Sequence, residues 1–210
     1  MARQAGSQGA ETAERARRAA LSLFARHGYA AVSMREIAAE TGVGAAALYN
    51  HFATKQDLLT ELMVKHLETL LAAWDAEPEA APETEPRAAL AAFARFHLRF
   101  HAARRDAVFV STMELRSLDQ PNFHRVERLR RAWEDRMEDI VRRGAEAGLF
   151  HAPEPRIATM ALIGMLTGVT NWYRPAGRLP ASAIEALHVE MTLSALGAPM
   201  TGDDACSPHP

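Results

Sequence analysis

Apolar residues recur every three or four positions along nearly the whole chain, and no run alternates with the two-residue period of a half-buried strand. The pattern predicts an all-α protein of about nine helices. The first is expected over 12–27, with Ala16, Ala20, Leu23 and Phe24 facing inward and Gly28 as a left-handed cap. Ser33-Met34-Arg35-Glu36 has the reciprocal spacing of a capping box and opens a short helix over 34–41. Gly42 then makes a turn into a third helix over 44–50. Thr54-Lys55-Gln56-Asp57 repeats the capping signal and starts a longer helix reaching about Trp74, with Leu58, Leu62, Leu67 and Leu70 on its apolar side. The Pro/Glu-rich "DAEPEAAPETEP" is a solvated connection. Further helices are predicted over 85–104, 106–118, 121–147, 154–173 and 180–196, and prolines at 121, 153, 155, 175 and 180 punctuate them. The first nine residues and a tail over 198–210 read as irregular.

Composition sharpens this picture in three ways. Hydrophobic residues make up 48% of 210, enough for a sizeable core. The net charge of -2 is unevenly spread: residues 1–55 hold seven basic and four acidic side chains (net +3), and the remainder holds 17 and 22 (net -5). A basic head on an acidic body points to an anionic polymer met by the head alone. The one cysteine, Cys206, excludes a disulfide framework and fits a cytoplasmic location. The N-terminus lacks an apolar signal core, and the longest apolar stretch, "IATMALIGMLTGV", is too short for a bilayer, so no membrane partner is expected.

Two short helices joined by a glycine turn, after a longer one, make a helix-turn-helix whose second helix can enter a major groove. Ile37, Ala38, Val43, Leu48 and Phe52 form its apolar inside. The block "AALSLFARHGYAAVSMREIAAETGVGAAALYNHFATKQDLL" resembles the N-terminal domain of TetR-family transcriptional regulators. The resemblance implies a head over 1–55 and a helical ligand-binding and dimerisation body over 56–197. It implies a homodimeric repressor that binds double-stranded operator DNA and is released by a small-molecule effector, with no enzymatic activity and no cofactor. It also implies phosphate contacts from Tyr49, His51 and Lys55. Ser33, Thr54 and the start of the fourth helix can add to these, although Ser33 and Thr54 are helix caps first. Ala45 and Ala46 permit close backbone approach and methyl contacts to thymine. Base reading then falls to Arg35 and Asn50, with Arg3 or Arg17 near backbone or minor groove. A recognition helix this poor in polar side chains predicts a large share for DNA shape.

In the body, Phe93, Phe96, His97, Phe100 and His101 recur at three and four, as either a core face or a pocket wall. His97 and His101 could face one metal, but no third ligand is spaced to join them, so no metal is expected. The charged run from Arg125 to Arg143 reads as a solvated, ion-paired helix face. "WYRPAGRL", "ELRSLDQPNF" and "EAGLF" resemble a TetR branch that responds to acyl-CoA thioesters, including fatty-acid- and steroid-derived ones. Phe96, Phe100, Phe109, Met113, Trp133, Leu166 and Trp172 are then candidates for an acyl tunnel, and Arg104, Arg116 and Arg174 for the charged end. A neutral or aromatic drug-like metabolite is the alternative effector. Ala158, Ala161, Gly164 and Gly168, with Ala183, Leu187, Met191 and Leu193, suggest a close-packed dimer seam. An enzyme built on His97, His101 and Asp106 or Glu114 lacks a nucleophile or phosphate loop, and a purely helical interaction protein is the remaining rival.

Overall fold

The structure, a computed structural model, describes residues 2–198, with side chains from residue 9 onward. Nine α-helices form among the described residues: α1 (Ala2–His27), α2 (Met34–Thr41), α3 (Ala45–Tyr49), α4 (Lys55–Asp75), α5 (Pro86–Ala102), α6 (Arg105–Met113), α7 (Gln120–Glu146), α8 (Pro155–Trp172) and α9 (Ala181–Ala195). Short 3₁₀ turns occupy Pro78–Ala80 and Leu115–Ser117. The boundaries follow the sequence expectation closely except at two places. α1 begins at Ala2 rather than near Thr12. An existing helix adds a hydrogen bond for each residue it annexes, and this offsets the roughly 1 kcal/mol cost of each of Gly6 and Gly9. α6 stops at Met113 instead of running to 118, because the chain bends at Glu114 (φ -94°, ψ 5°). Cys206 and the expected tail beyond Ala198 lie outside the described residues.

The helices form two compact units. The first comprises the chain up to Glu68 together with Arg104–Leu129; the second comprises Thr69–Ala103 and the chain from Arg130 on. The units do not part at residue 55: the first two-thirds of α4, all of α6 and the start of α7 belong with the N-terminal helices.

In the first unit α1 packs on α2, α3 and α6. Helices of eight and five residues are unstable alone, so α2 and α3 depend on what they bury. Ala16, Ala20 and Phe24 of α1 are fully buried, as are Ile37 and Leu48, with Ala38 and Phe52 close to it. Leu23 and Val43 are only half-buried. The capping box of α2 is complete: the Ser33 hydroxyl accepts from the Glu36 amide at 3.2 Å, and the Glu36 carboxylate accepts from the Ser33 amide at 2.7 Å. The Ser33 hydroxyl, at 2.7 Å, and the Ser33 amide hold that carboxylate below its ordinary pKa. Gly42 ends the helix at φ 68°, with its N–H on the carbonyls of Ala38 and Ala39.

The second unit is built around aromatic rings. Trp133 stacks on Phe93 with centroids 4.5 Å apart, and Trp74 meets Phe93 edge-on at 4.9 Å. α5 packs on α8 and α9. The charged face of α7 is paired as expected, and some of its partners are other elements. Arg156 of α8 donates to Glu134, Asp135 and Glu138, and Arg136 grips Asp75 with two bonds near 3 Å. Arg143 donates to the carbonyls of Pro82 and Thr84, which pins the acidic connection.

Near the end of α7, a Cβ on Gly144 would sit 2.0 Å from a ring carbon of Phe150, itself buried. Alanine in place of glycine inside a helix usually stabilises by about 1 kcal/mol. Here overpacking costing about 1–3 kcal/mol outweighs that gain. Gly144→Ala is expected to lower the urea midpoint, and a raised midpoint would show that Phe150 swings away freely.

Candidate nucleic-acid interface

The loop between α1 and α2, the end of α3 and the start of α4 enclose an open concavity of about 510 Å³, lined by Ala30, Ala31, Val32, Ser33, Met34, Tyr49, Ala53, Thr54 and Lys55. Two caps meet there. Thr54 and Asp57 reproduce the Ser33–Glu36 arrangement: the Thr54 amide donates to Asp57 at 2.9 Å, and the Asp57 amide donates to the Thr54 hydroxyl at 3.0 Å. Each capping hydroxyl also donates to its partner carboxylate, at 2.7 Å for Ser33 and 2.8 Å for Thr54. Both hydroxyl protons are therefore directed at carboxylates, and a phosphate would have to redirect them.

Ser33, Arg35, Ala46, Tyr49, Asn50, His51 and Thr54 are exposed, and Ala45 is half-buried. The Tyr49 ring is 50% exposed, so it is not the core aromatic that its neighbour Phe52 is. The three alanines of α3 leave a smooth ridge with Tyr49, Asn50 and His51 at its far end.

Lys55 departs from the sequence expectation. Its ammonium is turned back on the loop, donating to the carbonyls of Tyr29 and Val32 at 2.8 Å each, and lies 4.1 Å from the centre of the Tyr29 ring. Two of its three N–H bonds are spent within the protein, so it shapes the concavity rather than standing free in it. Burial raises the Tyr29 phenol above its ordinary pKa, partly opposed by a hydrogen bond from Gln56, and the charges of Asp119 and Glu114 add to the rise.

Arg17 is also not the groove-reaching side chain the sequence suggests. It donates to Glu61 of α4 at 2.6 Å and to Glu14 at 3.2 Å, and it lies over the Phe52 ring. An opposite charge one helix away and an aromatic face beneath it fix it as an α1–α4 tie, which Lys65 extends through Glu14. The Arg3 side chain lies outside those described.

The predicted ligand residues fall into both units. In the second, Phe96, Phe100 and Trp133 come together: Phe96 stacks on Phe100 at 5.6 Å and leans on Trp133 at 5.9 Å. Leu166 is fully buried. Trp172 is instead 53% exposed and stacks on His188. Arg174 donates to the carbonyls of Asn171 and Tyr173, closing the end of α8. In the first unit Arg104 and Arg116 are exposed, and Phe109 and Met113 partly so. Trp133 Nε1 and Thr159 Oγ1 are buried with no hydrogen-bond partner among the described residues. His97 and His101 stack face to face at 3.9 Å, with His97 Nε2 on the Thr167 hydroxyl and His101 Nδ1 on the His97 carbonyl. Parallel rings aim their in-plane lone pairs along separate lines, and among the described residues no group of three metal-ligating side chains occurs.

Of the predicted seam, Ala161, Gly164, Leu187 and Met191 are exposed and Gly168 is half-buried, whereas Leu193 is fully buried in the core. Ile157 and Met160, 63% and 55% exposed, belong to the same α8 stripe; being large, they carry no small-residue signal in the sequence.

Two substitutions separate support from contact. Lys55→Ala is expected to lower folding stability by about 1–3 kcal/mol, since it leaves two carbonyls without their charged donor, and to weaken DNA binding. Tyr49→Ala is expected to weaken DNA binding while shifting stability by no more than about 0.5 kcal/mol. Urea titration and fluorescence anisotropy on the same preparations check both, and equal stability losses would contradict the assignment.

Residues 17–62 match the family model "Bacterial regulatory proteins, tetR family", and residues 83–196 match "Tetracyclin repressor-like, C-terminal domain". The HTH-type transcriptional repressor KstR2 of Mycobacterium tuberculosis (strain H37Rv) is 26% identical over 178 residues, covering 84% of this chain and 88% of that protein. A tetR-family regulatory protein from Rhodococcus RHA1, known by crystal structure, is 30% identical with a TM-score of 0.84, over 90% of this chain and 98% of that one. AibR, solved with isovaleryl coenzyme A and operator DNA, shares the fold at 23% identity and a TM-score of 0.77, over 86% and 97% of the two chains. With a helix-turn-helix and a helical body that each match, the chain belongs to the TetR family of DNA-binding transcriptional regulators.

Proposed function

We propose that this regulator is a homodimeric repressor that leaves its operator when an acyl-CoA thioester binds its second unit. The observation that carries the ligand reading is the Trp133 indole N–H, buried in an aromatic wall with no acceptor among the described residues. Leaving such a donor unpaired costs about 1–3 kcal/mol, which an apolar ligand with a carbonyl would recover. Phe96 lies against Trp133 and Phe100 stacks on Phe96, a run of rings that suits an acyl chain. The likeness to AibR, which binds isovaleryl coenzyme A, supports the same class.

Ile157, Met160, Leu187 and Met191 are large, apolar and exposed on α8 and α9. Soluble proteins seldom leave such a patch uncovered. A Cβ on Gly164 or Gly168 would meet nothing within 4 Å, so a partner helix can approach closely. Two heads would then enter successive major grooves about 34–36 Å apart. Tyr49 and His51 hold phosphates, Arg35 and Asn50 read bases, and the alanine ridge of α3 leaves DNA shape a large share of specificity. α4 runs unbroken from Lys55 to Asp75 and carries the signal, with a coupling of about 1–3 kcal/mol.

Anisotropy on DNA from upstream of the regulator's own gene, with thioesters, their free acids and coenzyme A alone, tests the effector class. Release by the thioester only is the expected result. Release by neutral aromatic compounds instead would move the assignment to a drug-like effector. Trp133→Phe keeps the ring and removes the N–H. It should raise the thioester concentration needed for release about tenfold and leave effector-free binding unchanged. The pair Leu187→Asp and Met191→Asp should sediment as a monomer; a dimer would exclude the α8–α9 seam.

A further inference from the structure

The segment "ELRSLDQ", residues 114–120, carries part of the branch resemblance in the sequence, which gives Glu114 no part in DNA binding. In the structure this segment lies within the first unit, and its opening carboxylate, Glu114, is only 7% exposed. A buried carboxylate is costly unless strong donors meet it. Two do: Oε1 accepts the Tyr29 backbone N–H at 3.0 Å, and Oε2 accepts the Ser117 hydroxyl at 2.7 Å. A second clip lies beside the first. Gln56 of α4 donates to the Ser117 carbonyl at 2.5 Å, and its own carbonyl accepts the Asp119 amide at 3.3 Å.

The Tyr29 backbone is thus held at both ends, its N–H by Glu114 and its C=O by Lys55. Gly28, at φ 80°, makes the left-handed turn that leads into Tyr29, a conformation that favours glycine. Tyr29 is also the residue from which the chain enters Ala30–Met34, one wall of the 510 Å³ concavity.

We infer that Glu114 is a positioning residue for DNA binding: through the Tyr29 amide, the turn after α6 sets the wall of the phosphate-facing groove. The inference rests on reading that concavity as the DNA-facing surface. It makes the groove responsive to the turn after α6. Withdrawal of the Glu114–Ser117 turn removes the acceptor for Tyr29 and the carbonyl held by Gln56 together. Glu114 touches no DNA in this scheme, so it acts on affinity without contributing to the count of phosphate contacts.

The test uses full-length protein and an operator selected from random DNA by the wild type. Glu114→Ala should bind that operator roughly tenfold more weakly, with the wild-type dependence on salt, and should speed hydrogen exchange at the Tyr29 amide. Glu114→Gln retains an acceptor and should stay within about threefold of wild type in both readouts. Ser117→Ala leaves Glu114 in place but unsteadied and should lose about threefold, which keeps the test decisive if Glu114→Ala fails to fold. Full affinity with a fast-exchanging Tyr29 amide overturns the inference, as does a salt slope lowered by one phosphate. Failure of the wild type to select any DNA sinks the repressor reading itself, and the inference with it.

Discussion

The concavity between the α1–α2 loop, α3 and the start of α4 depends on one ammonium group. Lys55 Nζ bonds the carbonyls of Tyr29 and Val32, adding a charged donor to the Val32 N–H that the Tyr29 carbonyl already accepts at 3.4 Å. Backbone carbonyls left unpaired at a partly buried site are costly. A charged donor at 2.8 Å ties the end of α1 to the start of α4 across the loop. α2 and α3, eight and five residues long, are too short to hold their own geometry and take it from this frame. The Tyr29 ring, seated against Phe24 at 5.3 Å and against the ammonium, completes the joint.

Seen this way, the head is not a separate module. α6 and the turn after it pack with α1, and the compact unit reaches into the starts of α4 and α7. α4 and α7 each begin in the first unit and end in the second. The second unit holds a buried aromatic wall around Trp133 and an exposed apolar face on α8 and α9.

Much of this was legible in the sequence, because helix period, caps and glycine turns are local. Gly28 and Gly42 take the left-handed conformation their positions require, and both capping boxes close as spaced. The motif block around "LFARHGY" and "LYNHF" carries the family resemblance in sequence alone. Side-chain direction was not legible. Lys55, Arg17 and Arg174 all read as free cations, and all three fold back: Lys55 on the Tyr29 carbonyl and Arg17 on the Glu61 carboxylate, which lie close only in three dimensions, and Arg174 on the carbonyls of its own helix end. Leu193 and Ile157 exchange places for a related reason: period tells which residues share a face of α9 or α8, not which face is covered. The link from Glu114 to Tyr29 spans 85 positions and leaves no periodic trace.

The central claim is that Lys55 and its loop form a preset seat for the phosphate backbone, with contact made by Tyr49 and His51. A crystal structure of the regulator on its selected operator tests this most directly. The account predicts a phosphate in the concavity between Ala30–Met34 and Thr54, with Lys55 still on the Tyr29 and Val32 carbonyls. A Lys55 swung out onto a phosphate, with the loop carbonyls abandoned, would contradict it.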